Sequence, residues 1–440
     1  MTTVIIQPSD ANYRQAITQV RDRLRGSLVS ADEGKLDVSA IVRSIVADVA
    51  ARGDGALVEL TAKFDGVRFL PSQLRVPQAA IDAAHRAAEP AFLALVRRVA
   101  NNIRQYQKHI LVQAPPALER GSRRLGVRYT PIRRAGVYVP GGKALYPSTV
   151  LMTVVPAQVA GVSEVAVVSP PTTNGDVNPM VLALAGELGI TEVYRVGGAQ
   201  AIAALAMGTT SIRAVDKIVG PGNAFVAEAK RQLFGRVGID SIAGPSEVLI
   251  VADDAARPDW LAADMLAQAE HNPGSAVLVT TSPALAQAVA GQVAIQVANL
   301  ERKEAIVSAL EQYSAIIVAQ SLQQACDIAN DFATEHLQIV TRDDDATLGL
   351  IRNAGAVFVG QHTPVPLGDY YAGPSHVLPT GGTARFFSPL SVNDFMKSSS
   401  VIRYNAAALA QDAADVIDFA TREGLTAHAN AVRVRIKTTT

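Results

Sequence analysis

Apolar residues recur at three- and four-residue spacing from Asn12 to about Tyr106, with Arg, Asp and Glu between them. This is the period of an amphipathic helix, in which such positions share one face. Gly53-Asp54-Gly55 and Pro71-Ser72 interrupt the run, because glycine and proline favour turns. The pattern therefore predicts a series of helices over this first part of the chain.

From about Val127 onward, short strand-like runs alternate with helix-like ones. The strand-like runs are GVYVPG, EVAVVSPP, EVYRVGG and DKIVGPG, and the helix-like runs between them are TVLMTVVPAQVAGV, NPMVLALAGELG, AIAALAMG and AFVAEAKRQLFG. Such regular alternation indicates βαβ units that build a parallel sheet.

A second, similar series begins at Glu247. Its predicted strands are EVLIVAD, AVLVTTS, AIIVAQS, QIV and AVFVG, and its predicted helices are Pro258–Glu270, Ala284–Leu300 and Leu322–Phe332. Two series of one kind favour duplicated doubly wound units. From Leu378 the chain is rich in turns, and Asn405–Glu423 predicts an amphipathic helix followed by a short one. This tail is too small for its own core, so it must pack on the rest of the chain or on another subunit.

Composition narrows the class of protein. Of 440 residues, 49% are hydrophobic and 18% charged, which supports full cores rather than disorder. Forty basic and forty acidic residues cancel, which argues against binding to nucleic acid or to a membrane surface. The single cysteine, Cys326, lies in a helical pattern and is predicted to pack in a core. No signal peptide and no membrane span is apparent, and we expect a cytoplasmic protein.

Three glycine-rich turns fall within the first α/β series. GPGNAF, from Gly220 to Phe225, lies between a strand and a helix, but Phe225 stands where a dinucleotide fingerprint has its third glycine. It could hold a pyrophosphate at the helix N-terminus, or it could be a tight turn only. VGGAQ, with Gln200 opening a helix, is similar. GVYVPGGK has the wrong spacing for a P-loop, and Ala144 replaces its Ser or Thr, so we exclude that kind of ATP site. Together the turns suggest one ligand crevice at the strand ends.

Two short motifs carry metal-ligating or acid–base chemistry. In QAEHNPG, Gln268 and His271 are three residues apart at a helix end and share one face, so they could bind a metal or simply end a surface helix. In TEHLQIV, Glu335 precedes His336 where a helix should give way to a strand. A carboxylate and an imidazole can activate water and move protons near neutral pH, although the pair could also be merely solvated.

Two further segments add polar candidates. LGDYYAGPSHVLPTGG holds Asp369 and His376 among glycines, and REGLTAHA holds Glu423 and His428. Asp369 and His428 with Gln268 and His271 would form a sulfur-free N/O set, which suits zinc or a similar divalent ion. Sequence spacing alone cannot join residues so far apart into one site.

The long motifs resemble the histidinol dehydrogenase family, from about residue 20 to about residue 430. They are RAGVYVPGGKALYPSTVLMTVVPAQVAGV, YRVGGAQAIAALAMGT, VDKIVGPGNAFVAEAKRQLFG, AGPSEVLIVAD, AQAEHNPGS, ATEHLQI and GDYYAGPSHVLPTGGTARFFSPLSV. The resemblance implies a zinc-dependent enzyme that oxidises L-histidinol to L-histidine, through bound L-histidinaldehyde, in two hydride transfers to NAD. These are the final steps of histidine biosynthesis.

The resemblance also implies residue roles. One Zn2+ per subunit would be bound by Gln268, His271, Asp369 and His428, and Glu335 with His336 would form the acid–base pair. NAD would contact Tyr138, Gln200 and Asn223. The substrate would contact Ser246, Gln268, His271, Glu335, His336, Asp369, His376, Glu423 and His428.

The implied fold is α/β, with two incomplete Rossmann-like parallel-sheet domains and helical N-terminal and C-terminal pieces in an intertwined homodimer. The expected parts are an arm (1–30), a zinc-binding domain with a helical part (31–127 plus 246–385), an NAD-contacting domain (128–245), and a tail exchanged in the dimer (386–440). Alternatives are a paralogous zinc/NAD dehydrogenase of another small polar alcohol and an inactive metal-binding scaffold. A zinc hydrolase is disfavoured because no HExxH helix is present.

Overall fold

A computed structural model describes residues 3–26, 37–141, 147–271 and 274–437. The chain divides into two units, and each is described by itself. The first comprises Met1–His109 and Arg133–Phe395, and the second comprises Ile110–Ile132 and Met396–Thr440. None of the described helices is both long enough and apolar enough to cross a membrane.

The strands, in chain order, are β1 (Ile5–Ile6), β2 (Leu118–Arg120), β3 (Arg123–Pro131), β4 (Arg134–Tyr138), β5 (Glu164–Ser169), β6 (Glu192–Arg195), β7 (Lys217–Val219), β8 (Gly238–Ile239), β9 (Ser246–Ala252), β10 (Gly274–Thr280), β11 (Ala315–Val318), β12 (His336–Val340), β13 (Ala356–Val359) and β14 (Met396–Tyr404). The helices are α1 (Tyr13–Gly26), α2 (Val38–Arg52), α3 (Asp54–Phe64), α4 (Gln78–Ala87), α5 (Pro90–Ile110), α6 (Pro147–Ala160), α7 (Pro179–Glu187), α8 (Gly198–Met207), α9 (Ala224–Leu233), α10 (Pro258–Ala269), α11 (Pro283–Gln296), α12 (Lys303–Tyr313), α13 (Leu322–Phe332), α14 (Asp344–Leu348), α15 (Val365–Tyr370), α16 (Ala406–Arg422) and α17 (Thr426–Lys437).

The first unit contains a five-stranded sheet in the order β6-β5-β4-β7-β8, and all its strand pairs are parallel. The chain runs outward from β4 through β5 to β6, then returns to place β7 and β8 on the other side of β4. The strand order therefore reverses between β4 and β7. Helices α2, α3, α8 and α9 contribute to one continuous core with this sheet, in which Leu57, Ile202 and Ile218 are fully buried.

The first unit also contains a six-stranded sheet in the order β1-β11-β10-β9-β12-β13, again with parallel pairs only. Its inner strands are almost continuous apolar runs because helices cover both faces. Helices α10, α11 and α12 pack on one face, and α1 and α13 on the other. Cys326 of α13 is fully buried in the second of these cores, which confirms that it packs in a core.

The predicted alternation of strands and helices is confirmed in both series, and α13 has the predicted bounds. The finding is a mixed α/β protein with parallel sheets, consistent with a Rossmann-like dehydrogenase fold. Strand β1, which adds to the edge of the six-stranded sheet, and helix α12 were not predicted from the sequence. The domain boundaries predicted above stay predictions.

The second unit holds an antiparallel sheet in the order β14-β3-β2, which the sequence analysis did not predict. Strand β14 reads MKSSSVIRY, and its serine run carries little of the alternation that marks a strand. Its partner β3 is also far away in the sequence, with Ser400 opposite Val127. Helices α16 and α17, which were predicted, pack against each other in this unit.

Candidate active site

The first group of predicted site residues lies at the carboxyl edge of the five-stranded sheet. Tyr138 ends β4, Gln200 lies in the first turn of α8 after β6, and Asn223 precedes α9 after β7. This edge includes the point between β4 and β7 where the strand order reverses. Parallel α/β sheets bind ligands in the crevice at such a point. The three predicted NAD contacts therefore meet where the topology favours a ligand.

The loop after β7 is fixed by a buried ion pair. Gly220 has a φ of +110°, and a Cβ there would collide with the Tyr138 carbonyl oxygen, so the position requires glycine. Asp240 accepts hydrogen bonds from the Gly220 amide (2.7 Å) and from Lys230 Nζ (2.7 Å). Lys230 also donates to the Gly220 carbonyl oxygen (2.5 Å). The Lys230 and Asp240 side chains are only 2% and 4% exposed, so water does not compete for these bonds.

The three predicted NAD-contacting side chains have different surroundings. The Tyr138 hydroxyl accepts a hydrogen bond from the Gly198 amide at the start of α8 (3.1 Å), and burial raises its pKa to about 12. Gln200 is buried. Asn223 is exposed at the N-cap of α9, where its Oδ1 accepts a hydrogen bond from the Val226 amide (3.1 Å).

The second group lies at the amino edge of the six-stranded sheet. Ser246 begins β9 and His336 begins β12, and these strands are neighbours. Helix α13 ends at Ala333, the one non-glycine residue of the described chain with a positive φ (52°). This left-handed turn directs the next residues into β12, and it makes Glu335 and His336 face the same buried region. Both are buried, which excludes the solvated pair that the sequence left open.

A chain of short contacts joins these residues. Glu335 Oε2 accepts hydrogen bonds from Ser246 Oγ (2.5 Å) and from the Glu247 amide (3.0 Å). His336 Nδ1 lies 3.0 Å from the Glu247 carbonyl oxygen and 3.4 Å from Glu335 Oε2. His336 Nε2 lies 3.6 Å from Asp369 Oδ1, and no described residue forms a hydrogen bond with this nitrogen.

The electrostatics of this chain favour charge on the imidazole. Burial alone lowers the pKa of His336, but the Glu335 and Asp369 carboxylates and the Glu247 carbonyl outweigh it and raise the pKa to about 9. Burial raises the pKa of Asp369, whereas His336, His376 and His271 lower it, and the net shift is downward. His336 is the imidazole in contact with this carboxylate, and the other two lie within electrostatic range.

His376 lies on the segment between α15 and β14, which contacts helix α6. Its Nε2 is 3.2 Å from Ser148 Oγ of α6, and Ser375 Oγ donates to the Met152 carbonyl oxygen of the same helix (3.1 Å). Burial lowers the pKa of His376, and Asp369 opposes that shift. His376 is thus held beside α6 and lies within electrostatic range of Asp369.

Comparison with known proteins decides the family. The histidinol dehydrogenase family profile matches residues 29–436. Histidinol dehydrogenase of Rhodopirellula baltica is 46% identical over 97% of this chain and 95% of its own length, and that of Geobacillus kaustophilus is 49% identical over 94% and 99%. The chain belongs to the histidinol dehydrogenase family. The crystal structure of histidinol dehydrogenase from Elizabethkingia anophelis covers 99% of this chain and 98% of its own, with 32% identity and a TM-score of 0.90.

Membership in the histidinol dehydrogenase family makes the chain an NAD-dependent oxidoreductase of histidine biosynthesis. The first unit brings together seven of the predicted site residues around the amino edge of the six-stranded sheet: Ser246, Gln268, His271, Glu335, His336, Asp369 and His376. Glu423 and His428 belong to the second unit, where both are exposed near the junction of α16 and α17.

Three of the four predicted zinc ligands, Gln268, His271 and Asp369, lie in the first unit. Gln268 is buried, and no described residue forms a hydrogen bond with its Nε2. His271 lies just after Gln268 at the end of α10. Its imidazole is close enough to the Asp369 carboxylate to lower the pKa of Asp369. An amide oxygen, an imidazole and a carboxylate are all suitable zinc ligands. Within the described ranges, no three His, Cys, Asp or Glu side chains already form a metal-binding group. The predicted fourth ligand, His428, lies in the other unit.

Glu247 is a residue that the sequence analysis missed. It is 1% exposed, and its Oε1 accepts a hydrogen bond from the buried Gly381 amide (2.7 Å). Burial raises its pKa to about 8. Its backbone also supports both catalytic candidates, because its amide donates to Glu335 and its carbonyl faces His336. A charged residue at the start of an otherwise apolar strand, EVLIVA, was the available signal.

Proposed function

We propose that this chain oxidises L-histidinol to L-histidine in two successive NAD-linked steps, holding the aldehyde between them. The observation that carries the proposal is the buried chain of contacts from Ser246 through Glu335 and His336 to Asp369. It brings the His336 imidazole close to the Glu335 and Asp369 carboxylates, and His376 lies within electrostatic range of Asp369. The reaction consumes one water, and each oxidation reduces one NAD.

His336 suits the role of general base in the first step. A carbonyl oxygen only accepts hydrogen bonds, so Nδ1 must donate its hydrogen to Glu247, and the lone pair of the neutral ring lies on Nε2. This nitrogen forms no hydrogen bond with the described residues. In the neutral ring, which predominates only above the raised pKa of about 9, this nitrogen can therefore take the hydroxyl proton as the hydride leaves the carbinol carbon. Glu335 and Asp369 then stabilise the imidazolium that forms.

Glu335 suits the second step. Ser246 and the Glu247 amide both bind its Oε2, which fixes the carboxylate plane. The other oxygen can accept a proton from a water that adds to the aldehyde. The resulting hydrate gives the second hydride to a second NAD. A buried site favours this order because it restricts side reactions of the aldehyde.

Two substitutions test this division of labour. We expect His336→Asn to slow both oxidations, and Glu335→Gln to spare the alcohol step more than the aldehyde step. Rapid-mixing kinetics with histidinol, and separately with histidinaldehyde, measure each step. The contribution of a general acid or base is about 10²- to 10⁴-fold. Equal losses in both steps for Glu335→Gln would refute its assignment to water activation.

We also propose that Zn2+ is held by Gln268, His271, Asp369 and His428, one ion per subunit. The ion would supply a Lewis acid that binds the substrate nitrogens and orients the carbinol carbon. Removal of metal by a chelator should abolish turnover, and added zinc should restore it. Metal content and activity measured together check this, because full activity in metal-free protein would contradict the ligand set.

NAD is proposed to bind at the carboxyl edge between β4 and β7, with Tyr138, Gln200 and Asn223 as contacts. The N-termini of α8 and α9 meet this edge, and the positive end of each helix dipole favours a pyrophosphate. Two NAD molecules would use this site in turn, since one substrate is oxidised twice.

A homodimer with exchanged tails follows from the same proposal. Glu423 and His428 belong to a small unit whose Ile402 and Phe419 are 71% and 68% exposed. Exposed apolar side chains of this size favour burial against another surface. We expect two chains per particle by sedimentation. Mixing His336→Asn with His428→Ala subunits should restore part of the activity, and absence of any recovery would argue against shared sites.

A further inference from the structure

Asp65 carries a buried carboxylate oxygen that the fold leaves without a partner. The residue directly follows α3, and its Oδ2 is buried with no hydrogen bond to any described residue. Burial raises the pKa of this carboxyl to about 6. The C-terminal end of a helix also carries partial negative charge, which disfavours a carboxylate there. Placing a carboxylate here therefore lowers the stability of the fold, and no described residue offsets this cost with a hydrogen bond to Oδ2.

The packing of α3 on α8 locates Asp65. At one end, Asp54 of α3 accepts hydrogen bonds from the Ser211 hydroxyl (2.7 Å) and amide (3.3 Å), just after α8 ends. The helices are in contact and have nearly equal lengths of 11 and 10 residues. Because the start of α3 lies beside the end of α8 and the two helices are in contact, we infer an antiparallel pair, in which the end of α3 lies near the start of α8. That start is Gly198, whose amide donates to the Tyr138 hydroxyl.

The interaction between Asp65 and Tyr138 agrees with this placement. The Asp65 carboxylate is close enough to the Tyr138 hydroxyl to raise its pKa further, beyond the effect of burial. Asp65 thus borders the same carboxyl edge of the five-stranded sheet as Tyr138 and Gln200. A ligand that fills this edge would meet an unsatisfied hydrogen-bond acceptor.

We propose that the Asp65 carboxylate accepts hydrogen bonds from a ribose diol of the NAD that binds at this edge. The inference rests on the NAD site proposed above and names one more of its contacts. A carboxylate suits vicinal hydroxyls because it offers two acceptor oxygens and no donor. In dinucleotide-binding folds a carboxylate on the adenosine ribose also excludes the 2′-phosphate of NADP. Asp65 would then determine cofactor choice as well as affinity.

Binding of NAD to the zinc-loaded protein tests the proposal with Asp65→Asn and the matched control Glu59→Gln. Glu59 lies on the same helix, and its side chain is 65% exposed. We expect Asp65→Asn to raise the Kd for NAD about 10-fold or more, the size of a hydrogen bond to a charged group. The melting temperature without NAD should stay level or rise, because an unpaired charge leaves a buried position. Glu59→Gln should leave the Kd unchanged.

NADP and 2′-deoxy-NAD, which lacks the adenosine 2′-hydroxyl, distinguish the two riboses. If the adenosine ribose is bound, Asp65→Asn should weaken the binding of 2′-deoxy-NAD less than that of NAD, because only the 3′-hydroxyl contact remains to be lost, and it should discriminate less against NADP. If the nicotinamide ribose is bound, both NAD and 2′-deoxy-NAD should weaken alike. An unchanged Kd for NAD, or a fall in melting temperature that accompanies the loss of affinity, would overturn the proposal. Failure of the wild type to oxidise histidinol with NAD would instead overturn the proposed function.

Discussion

At the residue scale, Glu247 contacts three residues around the proposed active site: Gly381, Glu335 and His336. Its side chain binds the Gly381 amide, and its backbone contacts Glu335 and His336. Because Gly381 lies on the segment that follows His376, the bond also anchors this segment to β9. Glu247 is therefore a positioning residue, and its hydrogen bonds with the Glu335 carboxylate and the His336 ring come from its backbone.

Two replacements of Glu247 separate the effect of losing its hydrogen-bond acceptor from the effect of losing its ionisable group. Glu247→Ala leaves the buried Gly381 amide without an acceptor, which should cost about 1–3 kcal/mol of unfolding free energy. It should also lower kcat about tenfold or more, because small displacements near the chemistry are costly. Glu247→Gln retains an acceptor and should keep most of both. Denaturant unfolding and steady-state kinetics measure the two effects. A kcat for Glu247→Ala equal to that of wild type would contradict the positioning role.

The pH dependence of stability follows from the same side chain. The pKa of Glu247 in the folded protein, about 8, lies above its unfolded value of about 4.3. The folded state thus favours the protonated form, whose stabilising contribution is complete below the unfolded pKa and is lost as pH rises through 8. Wild-type unfolding free energy should fall over this range more than that of Glu247→Gln. Identical pH profiles would show that Glu247 is ionised at neutral pH.

The sequence indicated which residues could carry the chemistry better than it indicated which residues they contact. The Glu335-His336 pair stood out by composition, but its burial depends on the left-handed turn at Ala333, which no local pattern signalled. Asp65 and Glu247 stood in ordinary helix and strand patterns. Their importance comes from neighbours that are distant in sequence, such as Gly381 and Tyr138, so spacing could not reveal it.

At the element scale, the loop after β7 depends on one glycine and one buried ion pair. Gly220→Ala would force the new Cβ against the Tyr138 carbonyl oxygen in a backbone conformation that disfavours alanine. We expect the loop to shift and NAD to bind at least tenfold more weakly. The matched control is Gly235→Ala, where φ is +97° but nothing lies within 4 Å of the new atom.

The control isolates backbone strain from the collision. Gly235→Ala should lose about 1–3 kcal/mol of stability from strain alone and keep its affinity for NAD. Calorimetric NAD titration of both variants makes the comparison. Equal NAD affinities for Gly220→Ala and wild type would show that the loop does not contact the nucleotide.

Elements were predictable where burial imposes a pattern. The inner strands of both parallel sheets are apolar on both faces, and their crossover helices repeat at helical spacing, so both series were found. Strand β14 is mostly exposed and polar, and β1 has only two residues, so neither gives a periodic signal. Their pairing partners, rather than their own residues, make them strands.

At the scale of the whole molecule, the proposed site uses opposite edges of two sheets. The NAD candidates occupy the carboxyl edge of the five-stranded sheet, whereas Ser246 and His336 occupy the amino edge of the six-stranded one. Ser375 and His376 contact helix α6, and Gly381 farther along the same segment binds Glu247 of the six-stranded sheet. Open parallel sheets generally bind ligands at the carboxyl ends of their strands, a rule that predicts only the first of these two edges. The role proposed for the amino edge of the six-stranded sheet could be inferred only from the structure.

One chain is proposed to carry out both oxidations without releasing the aldehyde. Counting NADH formed per histidinol consumed, with limiting histidinol and excess NAD, measures this. We expect two NADH per histidinol and histidine as the only product. One NADH with free aldehyde would contradict this proposal, and no NADH from histidinol would refute the substrate.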